Sequence, residues 1–201
     1  MQRVIRVSML CGLAACGASS QAPAAPAASS APWPVPAGFR SETIPFPLEF
    51  APAIAQRGAE ELRFAPGFFD PAAPGYWSYA FVWRTADPAA LEGDALGAAL
   101  TLYFRGLIDA VDGKHQIDHK ETITAAAVRS GARMRLAVHV IDAFKTQQPV
   151  DLVGWADHLV CGDGGLWRFV LAPSGSAVRP ALDALAGQAA CGQPVPPPPR
   201  H

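Results

Sequence analysis

The clearest pattern in the chain begins at Arg133: Met134, Leu136, Val138 and Val140 are apolar, while Arg133, Arg135, Ala137 and His139 fill the alternate positions. A period of two sends neighbouring side chains to opposite sides of an extended backbone, so Arg133 to Phe144 predicts a strand with one buried face. Tyr76 to Trp83, YWSYAFVW, is aromatic and β-branched, follows turn residues at Pro71, Pro74 and Gly75, and predicts another. Arg40 to Phe50, Glu60 to Ala65, Glu121 to Arg129, Val150 to Cys161 and Leu166 to Leu171 complete the set. In the last, Trp167, Phe169 and Leu171 are expected inside and Arg168 outside. The turns Ser130-Gly131, Lys145 to Pro149 and Gly162-Asp163-Gly164-Gly165 are short, and short turns join antiparallel neighbours.

Two segments change period. Leu96, Leu100, Tyr103, Leu107 and Val111 recur at helical spacing, with Asp87-Pro88 as the expected N-terminal cap and Gly113 as the stop. Gly93, Gly97 and Gly106 each cost such a helix ~1 kcal/mol relative to Ala, so it is expected to form only against a sheet. Val178, Leu182, Leu185 and Ala189 predict a closing helix. The order β-β-β-α-β-β-β-β-α predicts an α+β fold, an antiparallel sheet of about six or seven strands with two helices packed on it, in one domain over residues 37–193. This order is similar to that of the Mog1/PsbP-like sandwich, in which helices cover an antiparallel sheet. A cystatin-like or NTF2-like curved sheet around a helix is the alternative. No specific motif accompanies the resemblance, which is architectural only.

Composition sharpens the boundaries. Half of the 201 residues are hydrophobic, 16% are charged and the formal net charge is −1. A nucleic-acid partner is therefore not expected, because displacing counterions from phosphates requires a surplus of Lys and Arg. The 10 Phe, 5 Trp and 3 Tyr argue against bulk disorder. Of the 20 prolines, five lie between Pro23 and Pro36 and five between Pro194 and Pro199. Gly17 to Pro36 is uncharged, dominated by Ala, Pro and Ser, and without apolar period, so residues 16–36 read as a tether; residues 194–201 read as a stiff Pro-rich tail. Trp33 is the odd member of the tether: it either begins the packing of the domain or stands exposed near a membrane.

The N-terminus carries the most specific signal. Arg3 and Arg6 precede an apolar stretch from Val7 to Ala15, too short to span a ~30 Å hydrocarbon core, and small residues lead to Cys16. Leu13-Ala14-Ala15-Cys16 resembles the lipobox of bacterial lipoproteins. The resemblance implies a signal peptide over residues 1–15, cleavage before Cys16, lipid (palmitate among the acyl groups) on the Cys16 thiol, and anchorage in the cell envelope. Gly17 stands where a retention aspartate would, which by the family's sorting tendency favours the outer membrane, facing the periplasm. The competing reading is an ordinary secretory signal with Cys16 incidental; the joint fit of motif and flanks favours the lipobox. Cys11 lies in the removed segment, so Cys161 and Cys191 remain as a pair in an oxidising compartment and are expected to be bonded, closing a loop worth roughly 3–4 kcal/mol.

Candidate chemistry is sparse. His115, Asp118 and His119, with Glu121 near, have the types for a metal site, but His-x3-His does not define one and Lys114 and Lys120 oppose a bound cation; a solvated connection is the simpler reading. His139, Asp142, Asp157 and His158 fall on adjacent strands, and alternation leaves His139 able to meet only His158 or Asp157 across the sheet. Glu60 and Glu61 beside Arg63 read as the alternating charges of a strand edge. The aromatic set Trp77, Tyr79, Phe81 and Trp83 either lines a ligand groove or packs the sheet core. These features favour a non-enzymatic binding or interaction module, held at a membrane through Cys16 and meeting a small molecule or an envelope protein, with no cofactor expected. The alternative is a periplasm-facing enzyme, a metal-assisted hydrolase using His115, Asp118 and His119.

Overall fold

A computed structural model describes residues 31–113 and 116–198. Seven strands form one antiparallel sheet: β1 (Arg40–Phe46), β2 (Gly58–Phe64), β3 (Tyr79–Thr85), β4 (Thr124–Ser130), β5 (Arg133–Ile141), β6 (Pro149–Cys161) and β7 (Gly164–Pro173), in the spatial order β1-β2-β3-β7-β6-β5-β4. Helix α1 (Asp94–Val111) lies between β3 and β4 in sequence, and α2 (Arg179–Gly187) follows β7. The fold is α+β, with the expected number of strands and helices. Cys161 and Cys191, 30 residues apart, are joined with their Cα atoms 5.4 Å from one another, which ties the segment after α2 to the end of β6.

The two helices cover opposite faces. On the first face α1 places Leu96, Leu100, Tyr103, Phe104 and Ile108 against Met134, Leu136 and Val138, so β5 buries the side that its alternation marks. Trp167, Phe169 and Leu171 join this core as expected. On the second face α2 packs Leu182, Leu185 and Ala186 on Ala80, Val82, Val170 and Trp155. The central strands β3 and β7 are thus buried on both sides, and Arg168, expected outside, is only partly exposed; it donates two hydrogen bonds to the Asp157 carboxylate at 2.7 and 2.8 Å.

Trp33 is fully enclosed in the second core, where its indole N–H donates to the Leu185 carbonyl at 2.9 Å. Packing therefore reaches four residues N-terminal of Ala37.

Several element ends differ from expectation, each for a local reason. Asp87 does not cap α1. Its carboxylate accepts the Ala89 N–H at 2.8 Å in a turn, and the helix starts only after Gly93, whose φ of 44° is left-handed. Strand β1 ends at Phe46, before Pro47, which has no N–H to give a ladder. Strand β5 stops at Ile141 because the Asp142 carboxylate gathers the N–H groups of Phe144, Lys145 and Thr146 into a tight loop. Gly106, expected only to weaken α1, permits a close approach: a Cβ there would lie 1.8 Å from the Phe50 carbonyl oxygen. That contact seats the Phe50 ring edge-on against Tyr103, with centroids 5.2 Å apart.

Candidate functional site

Over the β1–β2–β3 part of the first face, α1 gives way to loops, and the sheet is not completely covered. A cleft of about 610 Å³ remains there. Its floor is Ile44, Leu62, Phe64 and Tyr79; one wall is Tyr103, Leu107 and Val111 of α1; the other is Phe68, Phe69, Trp77 and Phe144 from loops. Arg40, Glu42 and Glu49 stand among the lining residues, and Pro198 of the tail reaches it. Small-molecule sites occupy roughly 300–1,000 Å³ and are mostly apolar with a few polar groups, and this cleft fits that description.

The expected aromatic stripe splits in two. Trp77 and Tyr79 line the cleft. Phe81 and Trp83 do not; Phe81 stacks on Phe169 at 4.3 Å, and Trp83 packs between Tyr103 and Phe169 inside the core. The division falls within β3, where Tyr103 of α1 packs on Phe81 and Trp83 while Tyr79 packs on Phe64 and Phe68 of the cleft. Trp77 precedes the strand, and its φ of 47° is left-handed, a conformation that costs an L residue of order 1–3 kcal/mol. The surroundings fix it there, with its N–H donating to the Phe68 carbonyl at 3.1 Å and its ring against Phe68 and Phe144.

Asp142, which sequence reasoning left without a role, builds the far wall. It is fully buried and accepts hydrogen bonds from the Tyr76 hydroxyl at 2.7 Å and from the Thr146 hydroxyl and N–H, both at 2.9 Å. Burial pushes its carboxyl up, but the Tyr76 and Thr146 hydrogen bonds outweigh this and hold it below the ordinary carboxylate range. Burial and the Asp142 charge together raise the Tyr76 hydroxyl to about 12. This pairing of Tyr76 with the loop that carries Phe144 sets the two wall segments at a fixed spacing.

Glu60 and Glu61 correct the reading of a charged strand edge. β2 is not an edge strand, since β1 pairs with it, and Glu60, Glu61 and Arg63 are all buried. Glu60 faces the first core, where Trp83 Nε1 donates to its Oε1 at 3.0 Å while Oε2 has no hydrogen-bond partner among the described residues. Burial raises its carboxyl to about 8 against the pull of the Trp83 hydrogen bond and the nearby Tyr103 hydroxyl, with Glu42 adding a smaller upward push. Tyr103, which touches Glu60 on one side, lines the cleft on the other. Glu61 faces the second core and is held between Arg63 at 3.1 Å and Arg84 at 2.7 Å.

The other candidates do not converge. His119 is exposed and left-handed, at the start of a 3-10 turn over Lys120–Thr122; Asp118 is exposed; His115 lies outside the described residues. No group of three or more His, Cys, Asp or Glu among the described residues is placed to hold a metal ion. The stretch is organised instead by Asp112, which accepts N–H groups from Gln116 and Ile117 and pairs with Lys120 at 2.9 Å. His139 meets neither His158 nor Asp157: the register sets it opposite Asp151, whose carboxylate is 2.7 Å from Nδ1. The His158 ring lies tilted against Trp167, centroids 4.8 Å apart, with Nε2 buried and without a partner among the described residues, and burial lowers its pKa.

Phe64, Phe68, Phe69 and Phe144 are spread over 80 residues and share no period, so only the register and loops of the folded chain bring them together. No family model, no curated protein and no solved structure matches the chain, so this cleft is the feature from which its function must be argued.

Proposed function

We propose that this chain is a membrane-anchored lipoprotein of the bacterial envelope, with a non-enzymatic domain that binds an apolar small molecule in the aromatic cleft. The cleft itself carries the reading: an open aromatic space of about 610 Å³ beside a sheet whose other central positions are filled. Leaving so much apolar surface in contact with water is unfavourable at ~25 cal/mol per Å², and a ligand that removes it recovers that free energy. The anchor rests on the Leu13-Ala14-Ala15-Cys16 motif and its flanks. Several acyl chains at ~0.8 kcal/mol per buried CH₂ hold such a protein firmly, and the chain from Gly17 onward, with 14 basic and 17 acidic residues, does not add attraction to anionic lipid. Outer-membrane placement facing the periplasm follows from Gly17 by the same resemblance.

The binding half is tested with an uncharged apolar fluorophore such as N-phenyl-1-naphthylamine. Saturable enhancement at one site is expected, and Leu107→Trp, which projects a larger ring from the half-buried wall position, should weaken it at least tenfold without lowering the melting temperature. Enhancement that never saturates, or that Leu107→Trp leaves unchanged, removes the cleft as the site. The anchor half is tested by Cys16→Ser, which should abolish incorporation of labelled palmitate and leave the signal peptide uncleaved. Label still entering the variant would place the lipid elsewhere.

A further inference from the structure

The chemistry around the cleft names the kind of molecule that it takes. Glu42 and Glu49 line it, both are exposed, and neither has a hydrogen-bond or ion-pair partner among the described residues. Arg40 is the one basic side chain among the described lining residues, and its guanidinium is already placed on a ring, 4.9 Å from the centroid of Phe69. The charges at the cleft therefore leave a net negative balance beside ring faces that themselves attract cations, since an aromatic face carries the negative end of its quadrupole. The Arg40–Phe69 contact shows such a face holding a cation. An anionic head would meet two free carboxylates and only this occupied guanidinium. A neutral head would leave both carboxylates without a counter-charge.

From this juxtaposition we infer that the cleft binds a cationic amphiphile, an apolar body carrying an ammonium group, with the body among Phe64, Phe68, Trp77 and Tyr103 and the charge beside Glu42 and Glu49. The inference rests on the ligand-binding reading above and adds the charge class.

The test uses the chain from Gly17 onward, which contains all of the sheet and both cores, in calorimetric titrations at low salt. Three probes of equal chain length are compared: an alkyl trimethylammonium, its uncharged tert-butyl isostere, and the corresponding carboxylate, each below its aggregation concentration. The ammonium probe is expected to bind at least tenfold more tightly than the isostere and the carboxylate most weakly, with the preference shrinking as salt is raised. In the double variant Glu42→Gln, Glu49→Gln, whose exposed positions do not hold the fold, the preference should fall below threefold while the isostere binds as before. Equal binding of ammonium and isostere, or a preference that survives the double variant, overturns the charge assignment and leaves the cleft as an apolar site. If none of the three binds and Leu107→Trp has no effect on the fluorophore, the ligand-binding reading falls with it.

Discussion

Replacing Trp33 with Ala is expected to cost the domain about 3–5 kcal/mol, the range for deleting a buried Trp side chain, read as a lowered urea midpoint. The residue is 1% exposed, and its ring fills the second core beside Leu182 and Leu185. It is also the lid on a buried cation. The Arg63 guanidinium lies 4.3 Å from the centre of the indole and donates to the Trp33 carbonyl at 2.8 Å and the Pro34 carbonyl at 2.9 Å. The same guanidinium pairs with Glu61, which pairs with Arg84, which donates in turn to the Ala190 carbonyl and to Gln193 Oε1. One buried charge network therefore fastens both ends of the folded chain to the sheet.

A chain beginning at Ala37 removes Trp33 and the two carbonyls together. Arg63 would keep Glu61 but lose the indole over it and two carbonyl acceptors, and the second core would open where Trp33 closes it. Against a total of roughly 5–15 kcal/mol for a typical domain, that shortened chain should be marginal at 25 °C, whereas one beginning at Gly17 should keep full stability. Trp33→Phe, which keeps most of the packing but loses the bond to Leu185, should fall between the two. A Trp33→Ala midpoint indistinguishable from that of the unaltered chain would show that the second core closes without it.

What the sequence made legible follows the physics of each element. Strand β5 could be read because water wets one of its faces, and α1 because its apolar stripe outlasts two glycines, Gly97 and Gly106. Strand β3 could not be apportioned, because all but one of its residues are buried and alternation carries no information when both faces are covered. Glu60, Glu61 and Arg63 depart from the expected strand edge for a related reason: charge predicts exposure only where no partner awaits, and their partners, Trp83, Arg84 and the Trp33 carbonyl, come from 20 or more residues away. The cleft was half legible. Trp77 and Tyr79 stood out in a dense aromatic strand, but Phe144 depends on the Asp142 loop, and no local pattern announces a carboxylate that folds a loop from inside.

Glu60→Gln is expected to flatten the pH dependence of stability between pH 4.5 and 8. The carboxyl has an ordinary value of 4.5 and is raised by burial to about 8 in the folded chain. Below pH 4.5 it is protonated in both states, so the stability that depends on its proton is fully present. As the pH rises from there, the unfolded chain gives up the proton and the folded chain keeps it, and stability is lost until the folded carboxyl titrates near 8. At roughly 1.4 kcal/mol per pH unit the interval amounts to about 5 kcal/mol. Gln keeps an acceptor for the Trp83 N–H, now at 3.0 Å from Oε1, and carries no charge at any pH. The variant should match the unaltered chain at pH 4 and exceed it by several kcal/mol at pH 8.5. The other titrating groups, among them Asp142 and His158, are common to both proteins and cancel in the difference. Urea unfolding at half-unit intervals gives the curve directly. Parallel profiles from pH 4.5 to 8.5 would mean that Glu60 is ionised in the folded chain, and that the core around Trp83 and Tyr103 admits a charge that its burial says it should refuse.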